Sequence, residues 1–261
     1  MKLKVYVVNA FAESTFGGNP AAVIYLREWL TEALMQQIAA QHNLAETAYI
    51  IPQEDDYAIR WFTPEVEVAL CGHATLASAH VFYEHLGYKK DKITFHSKSG
   101  PLHVSKRNDG KLELDFPADF AAETERLPIF EQGLKVEPLE VYRGKDDYMA
   151  VLASQQTVEK LSPDFGILAQ LQSRGIIVTA KGDAVDFVSR CFFPQSGIDE
   201  DPVTGSAHTV MAPYWADKLG KDKLSAIQLS KRKGYLECEI VGNRVLISGH
   251  ARTYLEGDIF I

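Results

Sequence analysis

Hydrophobic and polar residues follow regular patterns along the chain, and these patterns predict its first elements. Alternation over Lys2–Ala10 predicts a strand, and the apolar run Ala21–Leu26 predicts a second, buried strand. Apolar residues then recur at helical spacing from Leu34 to Ala39, behind Thr31, a residue type that caps helices. The start of the chain is therefore predicted to mix strands with a helix.

The same order of predicted elements occurs twice: an apolar strand, a loop that ends in glycine, a helix, a further strand and a hairpin. Helix-forming residues follow Gly72 as far as Gly87, and a matching run follows Gly205 as far as Gly220. Pro213 falls inside the second run, where its missing N–H predicts a bend or an interruption of the helix.

The repeat also holds residue by residue around the two helix starts. When 133 is added to their numbers, three residues of the first start match three of the second: Cys71, Gly72 and His73 match Thr204, Gly205 and Ser206. A period of about half the chain indicates two similar units in tandem. A proline-containing stretch rich in charged and small residues separates them, so the units are predicted to span 1–118 and 119–261. We expect the active site to lie between them.

The two helix starts are candidate sites for an anion. The first turn of a helix carries unpaired backbone N–H groups and a partial positive charge. The starts after Gly72 and Gly205 therefore predict a pocket for a carboxylate or a developing enolate. Polar side chains flank both starts: Glu67, His73, Asp201 and Ser206. The alternative is that each glycine only permits a tight turn between strand and helix.

Glu46 is the candidate acid and base. It opens an apolar segment in which alternation places its side chain on the same face as Ala48 and Ile50. If that face is the inner one, Glu46 is a partly buried carboxylate, which suits proton transfer at neutral pH. The alternative is a carboxylate at a strand end that points to solvent.

Composition and charge argue against several classes of function. With 46% hydrophobic residues the chain can form a large core, and its net charge of −8 argues against nucleic-acid binding. The apolar runs are too short to span a membrane. Three widely spaced cysteines indicate neither a disulfide framework nor a zinc site, and they predict a reduced, cytoplasmic protein. No metal or cofactor is expected, because the ligand spacings and glycine-rich phosphate loops are missing.

Longer motifs, in order along nearly the whole chain, give a more specific indication. They are Asn9-Ala-Phe11, Phe16-Gly-Gly-Asn-Pro-Ala-Ala-Val23, Glu46-Thr-Ala48, Phe62-Thr-Pro64, Leu70-Cys-Gly-His-Ala-Thr-Leu76 and Gly197-Ile-Asp-Glu-Asp-Pro-Val-Thr-Gly-Ser-Ala-His208. In these motifs the chain resembles the phenazine biosynthesis protein F (PhzF-like) family. The resemblance implies an α+β, diaminopimelate-epimerase-like fold with two pseudo-symmetric domains, each with strands wrapped around a central helix.

The resemblance also implies a chemistry. The founding reaction of the family is a cofactor-free isomerisation of a dihydro-hydroxyanthranilate, in which one glutamate moves a proton between ring carbons. The matching glutamate is Glu46, and the residues that surround the substrate match His73, Asp201 and Ser206, beside the helix starts at Gly72 and Gly205. The implied partner is a small carboxylate-bearing substrate. Family members are often homodimers, and the sequence leaves the oligomeric state open.

Two other functions stay open on the sequence. Related epimerases and racemases use two opposed cysteines as acid and base. This chain has Cys71 at the first position but Thr204 at the second, and a threonine hydroxyl is too weak an acid for that role. The other alternative is a binding or scaffold protein, since fold and motif do not fix activity. One departure from the family pattern, Lys231-Arg-Lys-Gly234, leaves the anion-binding role of that loop open.

Overall fold

A computed structural model describes every residue of the chain, 1–261. The helices and strands follow in this order: β1 Lys2–Ala10, β2 Asn19–Tyr25, α1 Glu32–His42, β3 Glu46–Gln53, β4 Asp56–Phe62, β5 Glu67–Val68, α2 Gly72–Glu84, β6 Lys92–Ser97, β7 Gly100–Lys106, β8 Leu112–Pro117, β9 Ala122–Glu123, α3 Pro128–Leu134, β10 Glu140–Arg143, β11 Asp147–Val151, α4 Gln155–Lys160, α5 Phe165–Leu168, β12 Gly175–Lys181, β13 Phe187–Phe193, β14 Ile198–Asp201, α6 Gly205–Leu219, β15 Lys223–Gln228, β16 Gly234–Val241, β17 Arg244–Gly249 and β18 Ala251–Phe260. None of the helices combines the length and the apolar character that a membrane crossing requires.

The chain forms two compact units. Unit 1 comprises Met1–Asp115 and Ser248–Ile261, and unit 2 comprises Phe116–Ile247. The chain therefore leaves unit 1, builds all of unit 2 and returns to unit 1 for its last strand. This division differs from the predicted halves, 1–118 and 119–261, mainly in that last strand, whose pairing partner the sequence did not indicate.

The strands of unit 1 form one continuous ladder in the order β18, β1, β2, β3, β4, β6, β7 and β8. The β2–β3 and β4–β6 pairs are parallel and the others are antiparallel. Helix α2 contacts β1, β2, β3, β7 and β18. Nine of its thirteen residues are buried, so α2 is the central helix around which the strands wrap.

Unit 2 repeats this connectivity in the order β9, β10, β11, β12, β13, β15 and β16. Its parallel pairs, β11–β12 and β13–β15, fall at the positions that match the parallel pairs of unit 1. Helix α6 is the central helix here and contacts β11, β15 and β16. The predicted repeat is confirmed, and with it the α+β fold with a central helix in each unit.

The sequence predicts a bend or an interruption at Pro213, and the interruption does not occur, because α6 runs from Gly205 to Leu219 without a break. A proline inside a helix cannot donate to the carbonyl four residues earlier, which here belongs to Thr209. The backbone N–H of Asp119 donates to that oxygen at 3.0 Å. The helix continues through the proline because the freed acceptor is satisfied from outside the helix.

Helix α1 leads the chain to the start of β3. The hydroxyl of Thr31 accepts a hydrogen bond from the N–H of Leu34, as the sequence predicts, and Asn43 ends the helix in a left-handed conformation. The buried face of the helix packs into the core of unit 1 through Met35, Ile38 and Ala39. This packing fixes where the chain enters β3, and the first residue of that strand is Glu46.

Candidate active site

Glu46 lies where β3 begins to pair with the parallel strand β2. Ala48 and Ile50 follow on the same face of the strand, and both are fully buried. The side chain of Glu46 is only 13% exposed. Glu46 is therefore a mostly buried carboxylate and does not point to solvent.

The carboxylate of Glu46 faces His73, the second residue of α2. Oε2 of Glu46 lies 3.0 Å from Nε2 of His73, and the His73 side chain is 5% exposed. Both atoms are buried and contact no other hydrogen-bonding group. The second ring nitrogen, Nδ1, lies 3.2 Å from Nδ2 of Asn19 and 3.5 Å from Sγ of Cys71. His73 thus joins the carboxylate on one side of its ring to polar groups on the other.

The neighbours of His73 control its protonation. Burial by itself lowers the pKa of the imidazole, but Cys71 and the carboxylate of Glu46 outweigh burial and raise the pKa well above its usual value. Burial, together with the charge of Glu46, raises the pKa of the Cys71 thiol to about 11, so this thiol keeps its proton at neutral pH. The contact with Glu46 therefore favours the protonated form of His73.

Both central helices begin without a side-chain cap. Cys71 precedes α2 and Thr204 precedes α6, and neither side chain accepts a hydrogen bond from the first turn of its helix. The first N–H groups of a helix have no partner within the helix itself. The starts at Gly72 and Gly205, which the sequence singled out, can therefore offer N–H groups to an anion.

Asp201 and Thr204 belong to a hydrogen-bonded group in front of α6. The Thr204 hydroxyl donates to Oδ2 of Asp201 at 2.6 Å, and the Thr204 N–H donates to Oε1 of Gln228 at 2.8 Å. Nε2 of Gln228 in turn donates to the carbonyl of Asp201 at 2.8 Å. This group fixes the orientation of the Asp201 carboxylate and uses the Thr204 hydroxyl as a donor.

Ser206, the second residue of α6, contacts a charged pair in unit 2. Nη2 of Arg174 donates to Oγ of Ser206 at 3.1 Å. The same guanidinium donates from Nε to Oδ1 of Asp147 at 2.9 Å and from Nη2 to Oδ2. The structure therefore brings together Glu46 and His73 in unit 1, and it surrounds Ser206 in unit 2 with residues that were not predicted.

Sequence reasoning missed three residues of these clusters: Asn19, Asp147 and Arg174. Asn19 lies inside one of the motifs that carry the family resemblance but was given no role. Asp147 and Arg174 lie in no motif, and each stands at the edge of an apolar segment. A charged residue directly before a buried strand, as Arg174 is before β12, is the signal that could have found them.

One group of three neighbouring side chains consists of residue types that bind metal ions. The ligand atoms of Glu46, Cys71 and His73 all lie within 4.8 Å of one another. The carboxylate lies against Nε2 of the imidazole, however, and the thiol against Nδ1. A histidine binds one ion through one nitrogen, so this arrangement does not converge on an ion. The absence of a metal stays a prediction from the sequence.

Comparisons with known proteins agree on one family. A family model described as "Phenazine biosynthesis-like protein" matches residues 8–257. An uncharacterized isomerase of Pseudomonas aeruginosa is 48% identical over 259 residues, which is 99% of each chain. A crystal structure of a PhzF-family phenazine biosynthesis protein of Enterococcus faecalis covers 100% of both chains with 47% identity and a TM-score of 0.97.

A more distant structure shares the fold alone. A hydroxyproline epimerase of Agrobacterium vitis aligns with a TM-score of 0.65 at 9% identity and covers 99% of this chain and 92% of its own. This likeness agrees with the epimerase-like architecture of the two units. The match along nearly the whole chain, at close to half identity, shows that the chain belongs to the phenazine biosynthesis-like (PhzF) family.

Proposed function

We propose that the protein is an isomerase that moves a proton between two carbon atoms of a small carboxylate-bearing molecule, with Glu46 as base and then acid. The buried contact of 3.0 Å between Glu46 and His73 carries this proposal. It holds a carboxylate in a largely water-free position, where a catalytic acid or base is expected. The name of the Pseudomonas aeruginosa relative, an uncharacterized isomerase, supports the same class of reaction.

The proposed reaction has two proton transfers. First, an oxygen of Glu46 takes a proton from a substrate carbon, and the electron pair of the broken C–H bond enters the conjugated system of the substrate. Glu46, now a carboxylic acid whose proton exchanges with solvent, then gives a proton to a second carbon, where an electron pair of the substrate forms the new C–H bond. Nothing is oxidised or reduced, so the reaction needs no redox cofactor. His73 holds the carboxylate in place through Nε2.

Five other residues bind and orient the substrate within this proposal: Gly72, His73, Asp201, Gly205 and Ser206. Two observations support these roles: each central helix begins without a side-chain cap, and a hydrogen bond from Thr204 fixes the orientation of the Asp201 carboxylate. Backbone N–H groups in a fixed first turn stabilise negative charge without reorganising during the reaction. They suit a substrate carboxylate or the charge that develops after proton removal.

A mechanism with two opposed bases is disfavoured at both positions. The Cys71 thiol has a pKa of about 11 and keeps its proton at neutral pH. Thr204, at the position of the second cysteine, donates its hydroxyl hydrogen to Asp201. One carboxylate that takes a proton from one carbon and gives a proton to another fits the arrangement better.

Solvent exchange tests the proposal. Wild type and Glu46→Gln are incubated in D₂O with a panel of small cyclic and amino carboxylates that includes dihydro-hydroxyanthranilate, and deuterium on carbon is read by NMR and mass spectrometry. We expect incorporation with wild type and a loss of about 10²–10⁴-fold in Glu46→Gln, because a general acid–base contributes about that much.

The exposed Glu65 provides a matched control, since Glu65→Gln removes a carboxylate of the same unit that has no role in the proposal. This variant should exchange deuterium at the wild-type rate. Exchange that persists in Glu46→Gln contradicts the proposal. Tight binding of a carboxylate with no exchange by wild type instead supports a non-catalytic binding protein.

A further inference from the structure

The two units can be aligned through a pair of equivalent arginines. In unit 1, Arg60 pairs across the β3–β4 ladder with Tyr49, and in unit 2, Arg190 pairs across the β12–β13 ladder with Val178. Each arginine also forms a bidentate ion pair with a glutamate of its own unit, Arg60 with Glu67 and Arg190 with Glu200. The equivalence fixes which residues of β3 and β12 correspond.

The alignment gives Glu46 no acidic counterpart in unit 2. Glu46 lies three residues before Tyr49, and Gly175 lies three residues before Val178. A side chain cannot fit at Gly175, because a Cβ there would lie 2.2 Å from the ring of Phe193. The residue just before this glycine is Arg174, so unit 2 places a cation beside the position where unit 1 places its carboxylate.

The second residue of each central helix contacts this strand start. In unit 1, His73 lies 3.0 Å from the carboxylate of Glu46. In unit 2, Ser206 lies 3.1 Å from the guanidinium of Arg174. In both units the second helix residue therefore contacts a charged side chain at the strand start, but this charge is negative in unit 1 and positive in unit 2. The opposite charges indicate that the two clusters have different functions.

Arg174 is held rigidly but remains accessible. Asp147, whose side chain is 2% exposed, accepts hydrogen bonds from both Nε and Nη2. The guanidinium also lies 5.2 Å from the ring centre of Phe193. Its side chain is nevertheless 39% exposed, and Nη1 makes no hydrogen bond with the protein. A fixed guanidinium with accessible N–H donors is suited to bind a carboxylate.

Arg190, in the same unit, shows what a purely structural arginine looks like. Its donors are occupied by the two carboxylate oxygens of Glu200 and by the carbonyls of Val158 and Leu161. Its side chain is 13% exposed. Arg174 differs because it has accessible donors and because it contacts Ser206, a predicted substrate-binding residue.

We propose that Arg174 is a substrate-binding residue that receives an anionic group of the substrate and fixes the Ser206 hydroxyl beside it. The Ser206 oxygen accepts a hydrogen bond from Arg174, which leaves its own hydrogen to donate to the same anion. Asp147 positions Arg174 and takes no part in binding. This inference rests on the proposed function, and it assigns recognition of the anion to Arg174 and Ser206.

The test compares a matched pair of ligands, 2-aminobenzoate and its uncharged amide, 2-aminobenzamide, by isothermal titration calorimetry on the full chain. We expect wild type to prefer the acid by at least about tenfold, as charge-assisted hydrogen bonds predict. Asp147→Asn combined with Arg174→Met should reduce the preference to within about twofold. The double variant leaves no unpaired buried charge, and circular dichroism checks that it folds.

Three further variants separate the possible outcomes. Arg174→Lys keeps the positive charge but loses the paired N–H donors of the guanidinium. Its preference for the acid over the amide should therefore be intermediate. Arg190→Met, the matched structural control, should keep the wild-type preference. Glu46→Gln should also keep it while losing deuterium exchange. An unchanged preference in the double variant, or no preference in wild type, overturns the inference, whereas a preserved preference without exchange by wild type contradicts only the proposed function.

Discussion

At the scale of single residues, the contact between His73 and Glu46 makes stability depend on pH. The folded-state pKa of His73 is raised above its unfolded-state value of about 6.5. The charged imidazole therefore stabilises the folded protein fully below about pH 6.5. This contribution is lost as the pH rises through the folded-state pKa.

We expect His73→Gln to abolish the decrease in stability that accompanies deprotonation of His73, because glutamine does not titrate. Urea unfolding midpoints measured from pH 6 to 9 should fall less steeply for the variant than for wild type. His96, which is 41% exposed beside Asp56, is the matched control, and His96→Gln should follow wild type. Parallel curves for wild type and His73→Gln would contradict the assignment.

Cys71 is expected to be replaceable. Its thiol is buried and protonated at neutral pH, so it takes no part in the proposed proton transfer. Cys71→Ser should therefore keep the rate of deuterium exchange within about tenfold of wild type. A loss comparable to that of Glu46→Gln would instead support a second catalytic base at this position.

The sequence predicted those site residues that lie within a recognisable motif, and it missed those whose contact partner lies far away along the chain. Glu46 and His73 each lie in a motif that the family resemblance identified, and the structure adds the contact between them. The sequence did not predict Arg174, because its proposed role depends on contact with Ser206. That residue lies 32 positions away and shares no motif with Arg174. Only the fold, by closing β12 against α6, makes the two a pair.

At the scale of elements, one hydrogen bond ties the central helix of unit 2 to a strand. The indole N–H of Trp215 on α6 donates to the hydroxyl of Thr179 on β12 at 2.9 Å. That hydroxyl donates in turn to the carbonyl of Val188 at 2.8 Å. All three groups lie in the interior, where an unpaired donor is costly.

Thr179→Val should destabilise the protein by about 1–3 kcal/mol, because it keeps the side-chain volume but leaves the indole N–H without an acceptor. Urea unfolding measures the change. In a Trp215→Phe background, which has no such donor, the same substitution should cost less. Equal costs in both backgrounds would show that the hydrogen bond does not stabilise this packing.

Elements with long patterns were predicted well and short ones were not. The strand over Lys2–Ala10 lies where alternation placed it, and β2, Asn19–Tyr25, covers most of the apolar run Ala21–Leu26. Helix α4, Gln155–Lys160, was missed because six residues are too few to show a helical period. The helix runs on through Pro213 for a tertiary reason, since only the fold brings the N–H of Asp119 to the freed carbonyl.

At the scale of the whole molecule, β18 completes unit 1 after the chain has built unit 2. It pairs with β1 from Lys2↔Phe260 to Ala10↔Ala251. Deletion of 251–261 should therefore expose one edge of β1 and loosen unit 1, while unit 2 keeps its own ladder. Hydrogen–deuterium exchange followed by mass spectrometry should show faster exchange in β1 and β2 and unchanged protection in β12 and β13.

Phe260→Ser is the control for this deletion, because the side chain is 78% exposed and its loss leaves the backbone pairing intact. This variant should exchange like wild type. Uniformly faster exchange in both units after the deletion would mean that the units unfold together.

The return of β18 to unit 1 has a consequence for synthesis on the ribosome. Translation delivers β1 before unit 2 and β18 after it, so one edge of β1 stays open while the whole of unit 2 is made. Unit 2 is continuous in sequence and can fold as soon as it emerges, whereas unit 1 can close only after β18 has left the exit tunnel. The nascent chain therefore presents an unpaired strand edge for as long as unit 2 is being made, and such edges are sites that chaperones protect.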